Sequence, residues 1–179
     1  MTSPTKLLAV AGLGLAVALA GCTPAPTDAD PTPRFASEAE AFAAAEATYR
    51  EYVKALNEVD LSDPETFEGV YAWTTGEANA GERKTLSQMH ADGWTVSGHT
   101  VMADFHGLAA TVEPEDEPTV TAVVCSDVSE VRVTDSSGKS MVGPDRRDTY
   151  ALEVRFVLKE ETPTLLIDSS TAIEDARCA

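Results

Sequence analysis

The stretch "DTYALEVRFVL", residues 148–158, alternates without a break. Tyr150, Leu152, Val154, Phe156 and Leu158 share one parity, while Glu153 and Arg155 share the other, and Lys159 follows in step. Successive strand residues point to opposite faces, so this is a strand with one face in a core and one in water. The same period-two habit holds from Trp94 to near the end, in "WTVSGHTVMADF" (94–105), "TVTAVVCSD" (119–127), "SEVRVTD" (129–135) and "TPTLLIDSS" (162–170). Within the middle pair the phase slips: Val120, Ala122, Val124 and Val128 are even, Val131 and Val133 odd. A bulge near Ser129 and Glu130 is expected there, curving the sheet. "DSSGK", residues 135–139, reads as a turn.

Upstream of Trp94 the period is helical. Ser37 and Glu40 form a capping box, followed by Phe42, Ala45, Tyr49, Tyr52, Val53, Leu56 and Val59 at three- and four-residue steps. This predicts an amphipathic helix over 37–59. Ser62, Asp63, Pro64 and Glu65 start a second helix, with Phe67, Val70, Tyr71 and Trp73 on its apolar face and Gly76 as its stop. A third runs over 77–91, anchored by Leu86 and Met89 and ended by Asp92-Gly93. Helices followed by antiparallel strands make an α+β plan, with the long first helix lying in the concave face of the curved sheet.

That element order over residues 35–178, with "VVCSDVSEVRVTDSSGK" (123–139) and the terminal "ARC" (176–178), resembles the NTF2-like, cone-shaped family as it occurs in small bacterial lipoproteins. The resemblance implies a pocket between helix and sheet. It also implies where enzymes of the class would place an Asp and a His as acid and base. Asp104 and His106, two apart on one strand and so on one face, are the weak candidates for such a catalytic pair. Phe105, Val101 and His99 take the opposite parity, and Gly107 follows at once. These neighbours favour solvated residues near a strand end, and no catalytic residue is assigned.

The chain opens with Lys6 and then fourteen residues, Leu7 to Ala20, without a charged or strongly polar side chain. A charged start, a short apolar core and small exit residues form a secretory signal over 1–21. The core falls short of the ~20 residues that span a bilayer. Leu19, Ala20, Gly21 and Cys22 resemble the lipobox of bacterial lipoproteins. The resemblance implies cleavage after Gly21 and a diacylglyceryl thioether, palmitate-type acylation included, on Cys22. That lipid would tether the chain to the extracytoplasmic face of the cell membrane. "TPAPTDADPTPRFA" (23–36) supplies Pro24, Pro26, Pro31 and Pro33, so residues 22–36 form a semi-rigid spacer and 37–179 one folded domain.

The full chain carries 13 basic and 30 acidic side chains, a net charge of −17. Loss of residues 1–21 removes one lysine and no acid, leaving −18. So acidic a surface repels phosphate backbones and anionic headgroups, which excludes nucleic acid as a partner. The charge keeps an exported domain soluble; cation capture or a basic partner is the sharper alternative. The ~145 residues after the spacer are too few for a two-lobed solute-binding protein.

On the oxidising side of the membrane the remaining cysteines, Cys125 and Cys178, read as a disulfide. Closing a loop of about 54 residues would stabilise the fold by ~4 kcal/mol. Free thiols or a metal pair lack supporting ligands nearby.

His90, His99 and His106 are spaced nine and seven apart, which fits no metal motif, and no cofactor is implied. "TTGEANAGER" (74–83) lacks the lysine and spacing of a phosphate loop. "EPEDEP" (113–118) reads as a solvated loop, since a calcium loop needs ligands at alternate positions and a glycine. The function expected is that of a non-catalytic, membrane-anchored lipoprotein whose partner is a small ligand or an envelope protein. The alternative is a small enzyme using Asp104 and His106.

Overall fold

The computed structural model describes residues 34–113, 116–159, 162 and 164–178. The segment expected to be a signal (1–21), Cys22 and nearly all of the expected spacer lie outside the described residues. Helix α1 (Glu38–Asn57) begins at Ser37, whose extended backbone and side-chain oxygen cap it. The Ser37 Oγ accepts from the Glu40 amide at 3.2 Å. The Glu40 carboxylate reaches back to the Ala36 amide at 2.7 Å, one residue further out than in a reciprocal box.

A 3-10 turn (Pro64–Thr66), capped by Asp63, leads into α2 (Phe67–Tyr71). Helix α3 (Gly76–Ala91) follows. Gly76 starts this helix where a helix stop is expected from the sequence. Its backbone has φ +50°, and an added Cβ would run into Asp168, so only glycine fits the corner. Ahead of it Thr75 N–H donates to Ile167 O at 2.8 Å and Ile167 N–H to Trp73 O at 3.0 Å. The α2–α3 link is thereby bonded to the sheet.

Among the described residues six strands follow: β1 (Thr95–Ser97), β2 (Val101–Thr111), β3 (Thr119–Asp127), β4 (Arg132–Thr134), β5 (Thr149–Leu158) and β6 (Leu165–Ile173). Four make the main sheet in the order β2-β3-β5-β6, every pair antiparallel. β1 and β4 form a separate two-stranded ribbon.

The fold is thus the α+β plan, three helices on a curved antiparallel sheet. Two local expectations change. The 94–105 run is divided at Gly98 (φ +78°), where a Cβ would strike the Glu130 carbonyl. The phase slip near Ser129 and Glu130 is a strand end and not a bulge, because β3 stops at Asp127 and β4 pairs elsewhere. The register shifts of the main sheet fall at Met102/Asp104 and Gly107/Ala109 in β2, and at Arg155/Phe156 in β5 against β6.

The even parity of β3 and β5 faces α1. Val120, Ala122, Val124, Val154, Phe156, Leu165 and Ile167 pack with Phe35, Ala41, Ala45, Tyr49 and Val53 in one buried core. Fully burying each large side chain contributes ~1.5–3 kcal/mol, so this face dominates the stability. A second cluster, Leu61, Phe67, Val70, Tyr71 and Leu86, joins α2 to α3.

Gly107 lies where Phe42 of α1 meets β2: a Cβ there would stand 2.5 Å from the ring. Replacing Gly107 with valine is therefore expected to cost ~1–3 kcal/mol in urea denaturation. In a Phe42→Ala background the same change is expected to cost distinctly less, as a double-mutant cycle would show.

Candidate functional site

Asp104 and His106 do share a face of β2, with His106 Nε2 3.1 Å from Asp104 Oδ2. The face is the convex one. Phe105 between them points inward, its ring 6.3 Å from that of Phe156, whereas the pair looks away from α1. Asp104 stays over half exposed and its Oδ1 accepts from the Phe105 amide at 2.8 Å. The Asp104–His106 distance is that of an ion pair, but the angle is not that of a hydrogen bond, and the buried His106 Nε2 has no aligned partner.

Alternation decides this placement, since one face of β2 must accept Phe105 and Gly107 under α1. Asp104 and His106 therefore lie across the sheet from α1, on the face away from Phe105 and Phe156.

Beside them on the convex face the C-terminal 3-10 turn (Ala176–Cys178) folds back onto β3. The Cys125 and Cys178 sulfurs are at bonding distance, 1.99 Å, with Cα atoms 5.2 Å apart. Asp175 next to them is held well below the usual carboxylate range by hydrogen bonds from the Arg177 side chain and amide.

The enclosed space lies on the other side of the sheet. A cavity of about 340 Å³ is bounded by Tyr49 and Tyr52 of α1, Ala78, Glu82 and Thr85 of α3, and Leu152 and Ile167 of the sheet. A second hollow, about 260 Å³, shares Glu82 and Thr85 with it and continues between Leu56, Leu86, Met89, Val96 and Val133 toward the β1–β4 ribbon. The Glu82 carboxylate therefore borders both hollows, each of them mostly apolar.

Its one hydrogen-bond partner among the described residues is the Tyr52 hydroxyl, which donates to Oε1 at 2.5 Å. Burial pushes the Glu82 carboxyl above its ordinary value, and the Tyr52 hydroxyl draws it back only in part. Burial likewise raises the phenols of Tyr49 and Tyr52, with Glu82 adding to both, so both remain neutral. The two rings stand 5.5 Å apart and tilted, and Tyr49 is opposed by Ser126 from β3.

No basic side chain lies within ion-pair distance of Glu82 among the described residues. The adjacent Arg83 turns away, its guanidinium 3.9 Å above the Tyr71 ring and its Nε donating to Asn79 at 2.9 Å. This chamber escapes a sequence reading that takes Tyr49 and Tyr52 as core and scans 74–83 only for a phosphate loop. The signal present was Glu82 on the face of α3 that carries Leu86 and Met89, four and seven positions on: an acid in an apolar stripe.

The remaining candidates are structural or open. His90 Nδ1 contacts the Leu61 carbonyl at 2.7 Å and its ring meets Phe67 edge-on, which ties α3 to the loop after α1. His99 is exposed in a shallow groove with Arg50 and Lys54. Among the described residues no three His, Cys, Asp or Glu side chains converge as a metal site. In the acidic loop Asp116 and Glu117 are exposed, while Pro114 and Glu115 lie outside the described residues. No described helix is long and apolar enough to cross a membrane.

No family model matches the chain, and no curated protein matches it in sequence. Among solved structures it is similar to the intermembrane space region of the chloroplast protein ARC6, with a TM-score of 0.51 and 12% identity, covering 75% of this chain and 97% of that one. It is also similar to VirB8 of Agrobacterium tumefaciens, with a TM-score of 0.37 and 13% identity, covering 78% and 95%. At such identities the first likeness is one of fold alone.

A carboxyl whose pKa is higher folded than unfolded contributes most when protonated. That contribution is complete below the ordinary value of 4.5 and is lost as pH rises through the folded value. Glu82→Gln keeps an acceptor for Tyr52 without a buried charge. Its melting temperature is expected to match wild type near pH 4 and to exceed it by roughly 2–4 °C at neutral pH, measured by thermal melts across that range.

Proposed function

We propose that the protein is a lipid-anchored lipoprotein of the extracytoplasmic face whose cone binds a small ligand without transforming it. The observation that carries this reading is the chamber between α1, α3 and the concave sheet, walled by Tyr49, Tyr52 and Glu82, with a second, mostly apolar hollow that shares Glu82 and Thr85 beside it. Concave, mostly apolar space with a few converging polar groups is what small-molecule sites share. The chamber holds one carboxyl and none of the three histidines, which favours binding over proton shuttling.

Anchoring rests on the lipobox-like Leu19 to Cys22, and the Pro-rich 22–36 serves as the spacer. In an oxidising compartment Cys125 and Cys178 form the bond that their geometry permits, clamping the chain end to an interior strand. The intermembrane space placement of the similar ARC6 region agrees with work at an envelope.

A second reading, docking of an envelope protein, is favoured by one feature. β2 is an edge strand that leaves Val101 and Leu108 about half exposed.

Intact mass of the chain purified from bacterial membranes tests anchor and clamp together. The expected product starts at Cys22, carries acyl chains that Cys22→Ser abolishes, and gains two protons on reduction. An unacylated, released chain would overturn the tethered role. Cys178→Ser is expected to lower stability by ~4 kcal/mol under oxidising conditions and to change nothing under reduction.

A further inference from the structure

Glu82 is a largely buried carboxyl held by a single neutral hydroxyl, and no cation of the described chain approaches it. A charge taken out of water is costly unless it is paired, and a buried acid without a built-in base is therefore matched by a cation from outside. The walls beside it suit one kind of cation. Tyr49 and Tyr52 both line this chamber, their rings 5.5 Å apart, and aromatic side chains attract organic ammonium groups. The groove that begins at Glu82 and Thr85 is lined by Leu56, Leu86, Met89, Val96 and Val133, which suits hydrocarbon and offers little to a hydrated metal ion. The net charge of −17 draws cations toward the domain and repels anions.

We propose that the chamber is an ammonium site, taking the head of an alkylammonium compound between Glu82, Tyr49 and Tyr52 and its hydrocarbon body in the adjoining groove. This rests on the cone being a ligand pocket, and adds the charge and shape of what enters it. Binding would replace the carboxyl's proton by the ligand's charge, so affinity rises with pH as Glu82 ionises.

Calorimetric titration of the full chain with hexyltrimethylammonium, hexanol and hexanoate separates the possibilities, with any carrier lipid titrated alone as the blank. The expected result is binding of the ammonium at least about tenfold tighter than the alcohol, with hexanoate weakest. Glu82→Gln is expected to remove that preference while hexanol binds as before.

If the ammonium and the alcohol bind equally to the wild-type chain, or if Glu82→Gln keeps the preference, the ammonium assignment falls and the pocket stands. If none of the three gives heat, the pocket reading falls and the assignment with it. The wild-type comparison needs no variant, so a Glu82→Gln chain that failed to fold would leave it decisive.

Discussion

Everything else in this molecule depends on the seating of α1 in the concave face of the four-stranded sheet. Ala41 and Ala45 bring the helix close at one end, and Gly107 of β2 yields the room that the Phe42 ring needs. Toward the other end Tyr49, Tyr52 and Val53 carry the contact with the sheet.

Beside Tyr49 and Tyr52, α3 packs against the sheet. Its start is pinned by bonds between the α2–α3 link and Ile167 of β6, and Gly76 makes the corner over Asp168. With that origin set, helical spacing delivers Ala78, Glu82 and Leu86 to the inside. Leu86 completes the apolar cluster with Phe67 and Val70, and Glu82 arrives with only Tyr52 to receive it. A carboxyl at such a place lowers stability once it ionises.

The convex face has a different character. Asp104, His106, Asp175 and Arg177 gather beside Cys125 and Cys178, and the chain end is folded over an interior strand. Polar residues can occupy this face because it is the odd parity of β3 and β5 that looks outward. Charge there is solvated or paired locally, unlike the Glu82 charge. The two faces of one sheet thus separate exposed ionic contacts from the partly buried Glu82.

The architecture was legible in the sequence wherever one period ran long enough. The 20-residue α1 with its Ser37 cap, the alternation of β3 and β5, and the α+β order follow from burial on one side of each element. Shorter features were not legible. The residues 94–105 hide a break, because Gly98 turns only in answer to the distant Glu130 carbonyl, and the apparent bulge at 129–130 is a change of partner that no local pattern displays.

For the site the division is sharper. The sequence by itself determined that Asp104 and His106 share a face, that Tyr49 and Tyr52 lie on the apolar side of a helix, and that the chain is acidic. Only the tertiary structure decided which face of β2 turns outward, and only it brought Glu82 of α3 against Tyr52, thirty residues away. Periodicity states which residues travel together on one element; which other element they meet depends on how the elements pack.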